Sequence, residues 1–183
     1  VPVEKGKGKL VVTGIMEEEE MGGYGRTMRR KSMAKSSLDN VLTVLRQNLG
    51  IKPADYDIHV NFPGGSPIDG PSAGVAMVTA IYSAVTGRKV NNVVAMTGEV
   101  SIRGFIKPVG GVPAKVEAAR LAGVKRVIIP KDNWQAIFAG MEDLVICAVE
   151  KLDEVVNLAL LDDDKCAHVA APAVSAGLLS ASG

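Results

Sequence analysis

The feature that most constrains this chain is a serine in a tight turn, Gly70-Pro71-Ser72-Ala73-Gly74, directly before a run of small and apolar residues. That run, Ala73 to Val85, is apolar on nearly all sides, which is typical of a helix buried inside a domain. The turn matches G-x-S-x-G, whose small residues let a substrate backbone approach the hydroxyl, and the following helix would aim its first N–H groups there. Serine is also a common N-cap residue, so the turn alone leaves a purely structural role open.

Short periodic segments separated by glycine and proline surround this turn. The patterns predict helices at residues 32–48, 73–85, 113–121, 132–138 and 152–161. They predict strands at residues 9–13, 56–62, 93–97, 100–106, 126–129 and 144–149, and none before Gly6. With 183 residues, 47% of them hydrophobic, the chain is long enough for one compact domain of helices and strands.

Two segments do not fit this periodic pattern. Residues 17–31 combine four successive glutamates with glycines and basic residues, which predicts a solvated connection, with a flap near a cleft as the alternative. From Asp162 the sequence becomes acidic and then rich in Ala, Ser and Gly. Residues 162–183 therefore read as a disordered tail or a sequence added for expression.

Charge and cysteine content exclude several classes of function. The net charge of +1 gives no case for nucleic-acid binding. Cys147 and Cys166 are far apart and have no metal-ligand spacing, which fits a reducing compartment and predicts neither a zinc site nor another metal site. No P-loop sequence is present, so we expect no ATP hydrolysis by this chain alone.

A catalytic serine needs a base, and two kinds are available. Of the two histidines, His168 lies in the tail, whereas His59 lies in the predicted strand ahead of Ser72. A Ser–His esterase using Ser72 and His59 is therefore one alternative, although hydrolases with a G-x-S-x-G turn place their histidine after the serine.

The other candidate base is Lys115, which follows a second glycine-rich turn, Gly110-Gly111. A lysine acts as a base in its neutral form, which burial in apolar surroundings favours. Its sequence neighbours Val112, Ala114 and Val116 are apolar, which predicts a buried lysine. The S-x-x-K match Ser32–Lys35 lacks its companion motifs, and its serine reads as a helix cap.

Four segments together resemble the proteolytic domain of Lon, the ATP-dependent serine protease. They are Pro67–Gly74, Met96–Gly104, Lys107–Lys115 and Val127–Pro130, which agree in order and spacing with the family's motifs. The resemblance covers about residues 7–160. It implies that residues 1–161 form one α+β domain with the Lon proteolytic-domain fold, a ribosomal-protein domain-2-like superfold in which small mixed sheets pack with helices. It also implies that the family's first strand and its preceding ATPase module are missing here.

The resemblance assigns roles to individual residues. Ser72 would be the nucleophile and Lys115 the general base of a Ser–Lys dyad, with an acyl-enzyme intermediate. Thr97 would hydrogen-bond the lysine amine, Asp69 would shape the loop before the serine, and the backbone N–H groups of Ser72 and Ala73 would hold the oxyanion. Supporting positions, near the site or at a subunit interface, would be His59, Glu99 and Arg103.

The resemblance also implies a biological setting. It predicts a serine endopeptidase that acts on unfolded or damaged proteins in ATP-dependent quality control, as a hexameric ring. The domain itself would need no cofactor, while an AAA+ module elsewhere in the full chain would use ATP and Mg²⁺. The expected location is cytoplasmic, with a membrane-anchored form facing the cytoplasm as an alternative. Some Lon-like domains are non-catalytic assembly scaffolds, and the presence of both Ser72 and Lys115 favours the enzyme.

Overall fold

The computed structural model describes residues 1–14, 33–62 and 71–161. Helices within these ranges are α1 (Met33–Asn48), α2 (Gly74–Thr86), α3 (Val112–Leu121) and α4 (Leu152–Ala159). Strands are β1 (Val3–Lys5), β2 (Leu10–Thr13), β3 (Tyr56–Asn61), β4 (Val94–Met96), β5 (Glu99–Val100), β6 (Ile106–Lys107), β7 (Arg126–Pro130) and β8 (Val145–Val149). The predicted α+β class is confirmed. The charged segment 17–31, Ser32, Asp69, Gly70 and the tail from Asp162 lie outside the described residues.

β3 is the centre of a three-stranded sheet with the order β1-β3-β2. β1 pairs with it antiparallel, with Val3 opposite Ile58, and β2 pairs with it parallel, with Val12 opposite Val60. The expectation that no strand precedes Gly6 is therefore wrong. β1 has only three residues, too few to show a period in the sequence, and it forms because β3 supplies its hydrogen-bonding partners.

The turn from β1 to β2 is built around the carboxylate of Asp57. Its Oδ1 accepts the backbone N–H groups of Lys7 at 2.9 Å and Lys9 at 2.8 Å. These bonds lower the pKa of Asp57, because they bind the charged carboxylate better than the neutral acid. A Cβ at Gly6 would overlap the Asp57 carboxyl group, so the first glycine of the turn leaves room for this contact.

α1 and α2 pack against each other and enclose the larger of two apolar clusters. In α1 the buried positions Leu38, Val41 and Leu45 follow a spacing of three and four, so they share one face. α2 also contacts α4, so most of its surface is covered, and its predicted burial is confirmed. Its buried Thr79 hydroxyl donates to the Val75 carbonyl at 2.8 Å, which satisfies the one polar side chain on the helix's buried surface.

A second sheet, with the order β4-β7-β8, is parallel throughout. Its middle strand β7 has apolar residues buried on both faces, as parallel strands generally do. Ile128 faces the larger cluster, whereas Val127 and Ile129 face a smaller one beneath α3. α3 contributes Val112 and Val116 to that smaller cluster, so α3 is fixed on β7.

Two predicted elements have a different form in the structure. Residues 100–106 are not one strand, because Gly104 adopts φ +79° and turns the chain into the β5–β6 hairpin. Residues 132–138 are not one helix but parts of two 3₁₀ turns, Lys131–Asn133 and Ala136–Gly140. They are separated because Trp134 has an extended backbone, with φ −61° and ψ 136°.

Candidate active site

Ser72 lies in a 3₁₀ turn, Pro71–Ala73, that leads directly into α2. The N-cap position of α2 is Ala73, and no side chain caps the helix. The interpretation of Ser72 as a capping serine is therefore wrong. Its hydroxyl sits at the entrance of a helix whose first N–H groups have no acceptor within the helix itself.

The backbone of Ser72 is held by the segment after β4. The Ser72 carbonyl accepts the N–H of Gly98 at 2.9 Å and the hydroxyl of Thr97 at 3.4 Å. In return the Gly98 carbonyl accepts the N–H of Val75 at 3.1 Å. The serine turn and the Thr97-Gly98 segment are thus joined by hydrogen bonds at Ser72 itself and at Val75, three residues further on.

Small residues are needed where these two segments meet. A Cβ at Gly74 would lie 2.9 Å from the Val100 backbone nitrogen, and one at Gly98 would lie 2.9 Å from Ile106 Cγ2. Either distance is shorter than a Cβ atom tolerates, so a larger residue would push the serine turn away. Gly74, the second glycine of the G-x-S-x-G pattern, is therefore needed for close packing as well as for substrate access.

Lys115 lies in the first turn of α3, where its N–H donates to the Gly111 carbonyl at 3.1 Å. Its amine Nζ donates to Thr97 Oγ1 at 3.4 Å, the contact that the resemblance implied. The expected burial of Lys115 is wrong, because its side chain is exposed. The buried face of α3 is formed by Val112, Val116 and Ala119.

Ser72 and Lys115 line one cavity of about 280 Å³. Thr97, which is only 8% exposed, lies between them, because its hydroxyl accepts from Lys115 Nζ and donates to the Ser72 carbonyl. The remaining lining residues are small or apolar, namely Ala73, Ala76, Ala95, Met96 and Val127. The structure thus brings together three residues that are 25 and 18 positions apart in the chain.

Four of these lining residues were missed from sequence: Ala76, Ala95, Met96 and Val127. Ala76 follows Ser72 by four positions, so the helical period already places it on the same face. Ala95, Met96 and Val127 become visible only once β4 and β7 are known to be parallel neighbours, with Ala95 opposite Val127.

Among the described residues, Ser72 Oγ has no hydrogen bond to Lys115 Nζ, whose side-chain partner is Thr97. Proton transfer between two such groups needs a separation of about 2.6–3.2 Å, and catalytic hydrogen bonds often shorten only when substrate binds.

Three other predicted site residues, His59, Glu99 and Arg103, are not among the residues that line this cavity. His59 is exposed, and its Nε2 lies 3.0 Å from Thr13 Oγ1. Glu99 lies opposite Lys107 in the β5–β6 hairpin, and Arg103 is exposed at the hairpin turn. Their supporting roles, like that of Asp69 outside the described ranges, stay predictions.

A slightly larger cleft, of about 310 Å³, lies between α1 and the turn before β3. It is lined by Leu42, Thr43, Arg46 and residues 52–55, and its Thr43 hydroxyl donates to the Asp39 carbonyl at 3.0 Å. The hydroxyl of this cleft is thus bound to the backbone of its own helix, and no serine or cysteine is among the described residues that line it. Chemistry, rather than volume, therefore places the candidate site at Ser72.

Within residues 1–14, 33–62 and 71–161, no three His, Cys, Asp or Glu residues are grouped in a way that could hold a metal ion. Nor does any helix in these ranges combine the length and apolar character needed to cross a membrane. Cys147 is half-buried, and this burial raises the pKa of its thiol.

An α+β domain with a serine at a helix entrance and a lysine in the same cavity has the arrangement expected of a serine peptidase. The family model of the Lon protease (S16) C-terminal proteolytic domain matches residues 2–162. The chain therefore belongs to this family, and it is the serine-protease domain of a Lon-type protease.

Similar proteins come from both bacteria and archaea. Lon protease 2 of Bacillus subtilis is 52% identical over 162 residues, which are 88% of this chain and 29% of that protein. Lon protease of Escherichia coli K12 is 40% identical over 169 residues, 86% of this chain and 20% of that protein. Archaeal Lon protease of Pyrococcus abyssi is 38% identical over 165 residues, 88% of this chain and 15% of that protein. This chain thus spans less than a third of the length of these relatives.

Proposed function

We propose that this domain hydrolyses peptide bonds with Ser72 as the nucleophile and Lys115 as the general base. The observation that carries the proposal is that both residues line one cavity, with Thr97 hydrogen-bonded to the lysine amine and to the serine backbone. The Ser–His alternative has less support, because the lining of this cavity includes Lys115 and does not include His59.

The proposed reaction is acyl transfer in two halves. The neutral amine of Lys115 takes the proton of Ser72 Oγ while this oxygen attacks the carbonyl carbon of the substrate peptide bond. The resulting ammonium then gives the proton to the leaving amine, which breaks the C–N bond and leaves an ester on Ser72. Water, activated by the same lysine, hydrolyses that ester and restores the serine.

The oxyanion formed in each half needs hydrogen-bond donors at the entrance of α2. The Val75 N–H donates to the Gly98 carbonyl and is therefore occupied. We therefore assign the binding of the oxyanion to the N–H groups of Ser72 and Ala73, which lie in the 3₁₀ turn that leads into α2. One such donor typically contributes about 100- to 1,000-fold to the rate.

For the full-length protein we propose an ATP-dependent protease that degrades unfolded or damaged proteins as a hexameric ring. The relatives are named Lon proteases and are at least three times as long as the matched segment, which leaves room for an AAA+ module that uses ATP and Mg²⁺. Glu99 and Arg103, which lie outside the cavity, would then serve a subunit interface. The proposed location is the cytoplasm. The full-length protein would either be free there or be anchored to a membrane with this domain facing the cytoplasm.

The test is cleavage of an unstructured fluorogenic peptide without ATP. Removing the base in Lys115→Ala is expected to lower kcat by about 100- to 10,000-fold, which is the usual contribution of general base catalysis. Ser72→Ala should lower it at least as much, because removal of the nucleophile ends acyl transfer. Matched controls are Ser83→Ala, near the far end of the same helix, and Lys125→Ala, an exposed lysine outside the cavity.

His59→Ala separates the two candidate bases. The proposal expects this variant to keep most of the wild-type activity, whereas the Ser–His alternative expects it to lose as much as Ser72→Ala. Peptide cleavage that survives in Lys115→Ala at the wild-type rate would overturn the assignment of the base.

A further inference from the structure

Asn133 holds the turn that precedes α3 with both ends of its side-chain amide. The N–H of Val109 donates to Asn133 Oδ1 at 2.8 Å, and Asn133 Nδ2 donates to the Val109 carbonyl at 3.0 Å. One side chain thus satisfies both backbone polar groups of Val109, as a neighbouring strand would. A carboxylate or a hydroxyl of similar size cannot replace it, because the carboxylate has no donor and the hydroxyl is a single atom.

Val109 lies three residues before the start of α3, the helix that carries Lys115. Gly110 and Gly111 follow Val109, and the Gly111 carbonyl accepts the N–H of Lys115 at 3.1 Å. No atom lies within 4 Å of a Cβ built on either glycine, so packing on that side does not fix the turn. In the described chain, the approach to α3 is therefore fixed at Val109, by the Asn133 amide on its backbone and by the packing of its side chain against the smaller apolar cluster.

Strand β7, which precedes Asn133 in the chain, also fixes Thr97, the hydrogen-bond partner of Lys115. The Ile128 carbonyl of β7 accepts the N–H of Thr97 at 3.1 Å, and Val127 of β7 lines the cavity. Asn133 follows the end of β7 by three residues. Strand β7 thus positions Thr97 through its backbone and Lys115 through the side chain of Asn133.

We propose that Asn133 is a positioning residue that sets the place of Lys115 relative to Thr97 and Ser72. It acts through the backbone from Val109 to Gly111 and does not touch the substrate. The catalytic part of the proposal rests on the proposed function of Lys115 as the base.

The first test is the steady-state hydrolysis of an activated peptide ester by Asn133→Ala. Each rate is divided by the folded fraction measured by urea unfolding. We expect kcat to fall about 10- to 100-fold, since small displacements of a catalytic group cost that much, with KM changed less than about twofold. The matched control is Asn91→Ala, which also removes an asparagine acceptor of a backbone N–H, that of Val93 at 3.1 Å, in another loop. It should keep kcat within about twofold of wild type.

The second test is hydrogen exchange, which needs no activity. In Asn133→Ala, the amides of Val109 and Lys115 should exchange at least about tenfold faster, because the anchor that closes this turn is gone. The amide of Ile128, in the buried strand, should not change, and Asn91→Ala should leave residues 109–115 unchanged. Unchanged exchange at residues 109–115, or equal losses of kcat in the two asparagine variants, would overturn the proposal. If the wild-type protein hydrolyses neither the ester nor the peptide, the proposed function is refuted. The hydrogen-exchange result would still decide whether Asn133 anchors the turn before α3.

Discussion

Thr97 uses one hydroxyl group for two contacts, accepting from Lys115 Nζ and donating to the Ser72 carbonyl. Thr97 is buried whereas Lys115 is exposed, so Thr97 is the more firmly held member of this pair. At the residue scale, the geometry of the site therefore depends on Thr97 as much as on Ser72 and Lys115, the proposed nucleophile and base. Its backbone N–H is in turn bound to Ile128, which ties the group to the middle strand of the second sheet.

Asp57 gives a pH dependence of stability that belongs to a single residue. Its pKa is lowered from the ordinary value of 3.8 by the N–H groups of Lys9 and Lys7. A lowered folded-state pKa means that the carboxylate stabilises the fold above 3.8, and that this contribution is lost as the pH falls through the folded-state value. In Asp57→Asn we expect lower stability at neutral pH and a shallower loss of stability in acid, measured by urea unfolding from pH 2 to 7.

A matched control for this prediction is Asp132→Asn, which changes an exposed carboxylate in a 3₁₀ turn. It should leave the acid profile close to that of wild type. If Asp57→Asn and wild type show parallel profiles between pH 2 and 4, the Asp57 carboxylate does not hold the β1–β2 turn.

At the scale of elements, the long periodic helices α1, α2 and α3 were predictable, because their patterns persist over several turns. The β5–β6 hairpin was not, since each of its strands has two residues and the turn depends on the φ of Gly104. The exposure of Lys115 was also mispredicted. Its apolar sequence neighbours Ala114 and Ala118 are exposed, because α3 buries the face that carries Val112 and Val116.

The two glycines before α3 are expected to differ in their tolerance of substitution. Gly111 has φ +68° and is the N-cap of α3, whereas Gly110 has no positive φ, and a Cβ at either position meets open space. Gly111→Ala should therefore cost about 1–2 kcal/mol through backbone strain alone. Gly110→Ala should change the free energy of unfolding by less than about 0.5 kcal/mol. Urea unfolding of the two variants measures this difference, and equal losses would mean that the left-handed backbone at Gly111 is not required.

At the scale of the whole molecule, β7 connects the two apolar clusters and both sides of the candidate site. Ile128 packs in the larger cluster and Val127 in the smaller, while the strand's backbone and the following turn hold Thr97 and Val109. The sequence motifs predicted Ser72, Thr97 and Lys115 as site residues, because the order and spacing of these motifs resemble those of the Lon family. Asn133 and the lining residues Ala95, Met96 and Val127 carried no local signal, since their contacts join residues that are 24 or more positions apart in the chain.

The most direct test of the account is where a fluorophosphonate probe attaches to the protein. Such probes phosphonylate a serine hydroxyl that a nearby base has activated, and peptide mapping by mass spectrometry identifies the residue. The account predicts a single adduct on Ser72 in wild type, with labelling at least about 100-fold slower in Lys115→Ala and unaffected in Lys125→Ala. Labelling of Ser72 at equal rates in wild type and Lys115→Ala, or an adduct on another serine, would contradict the Ser72–Lys115 dyad.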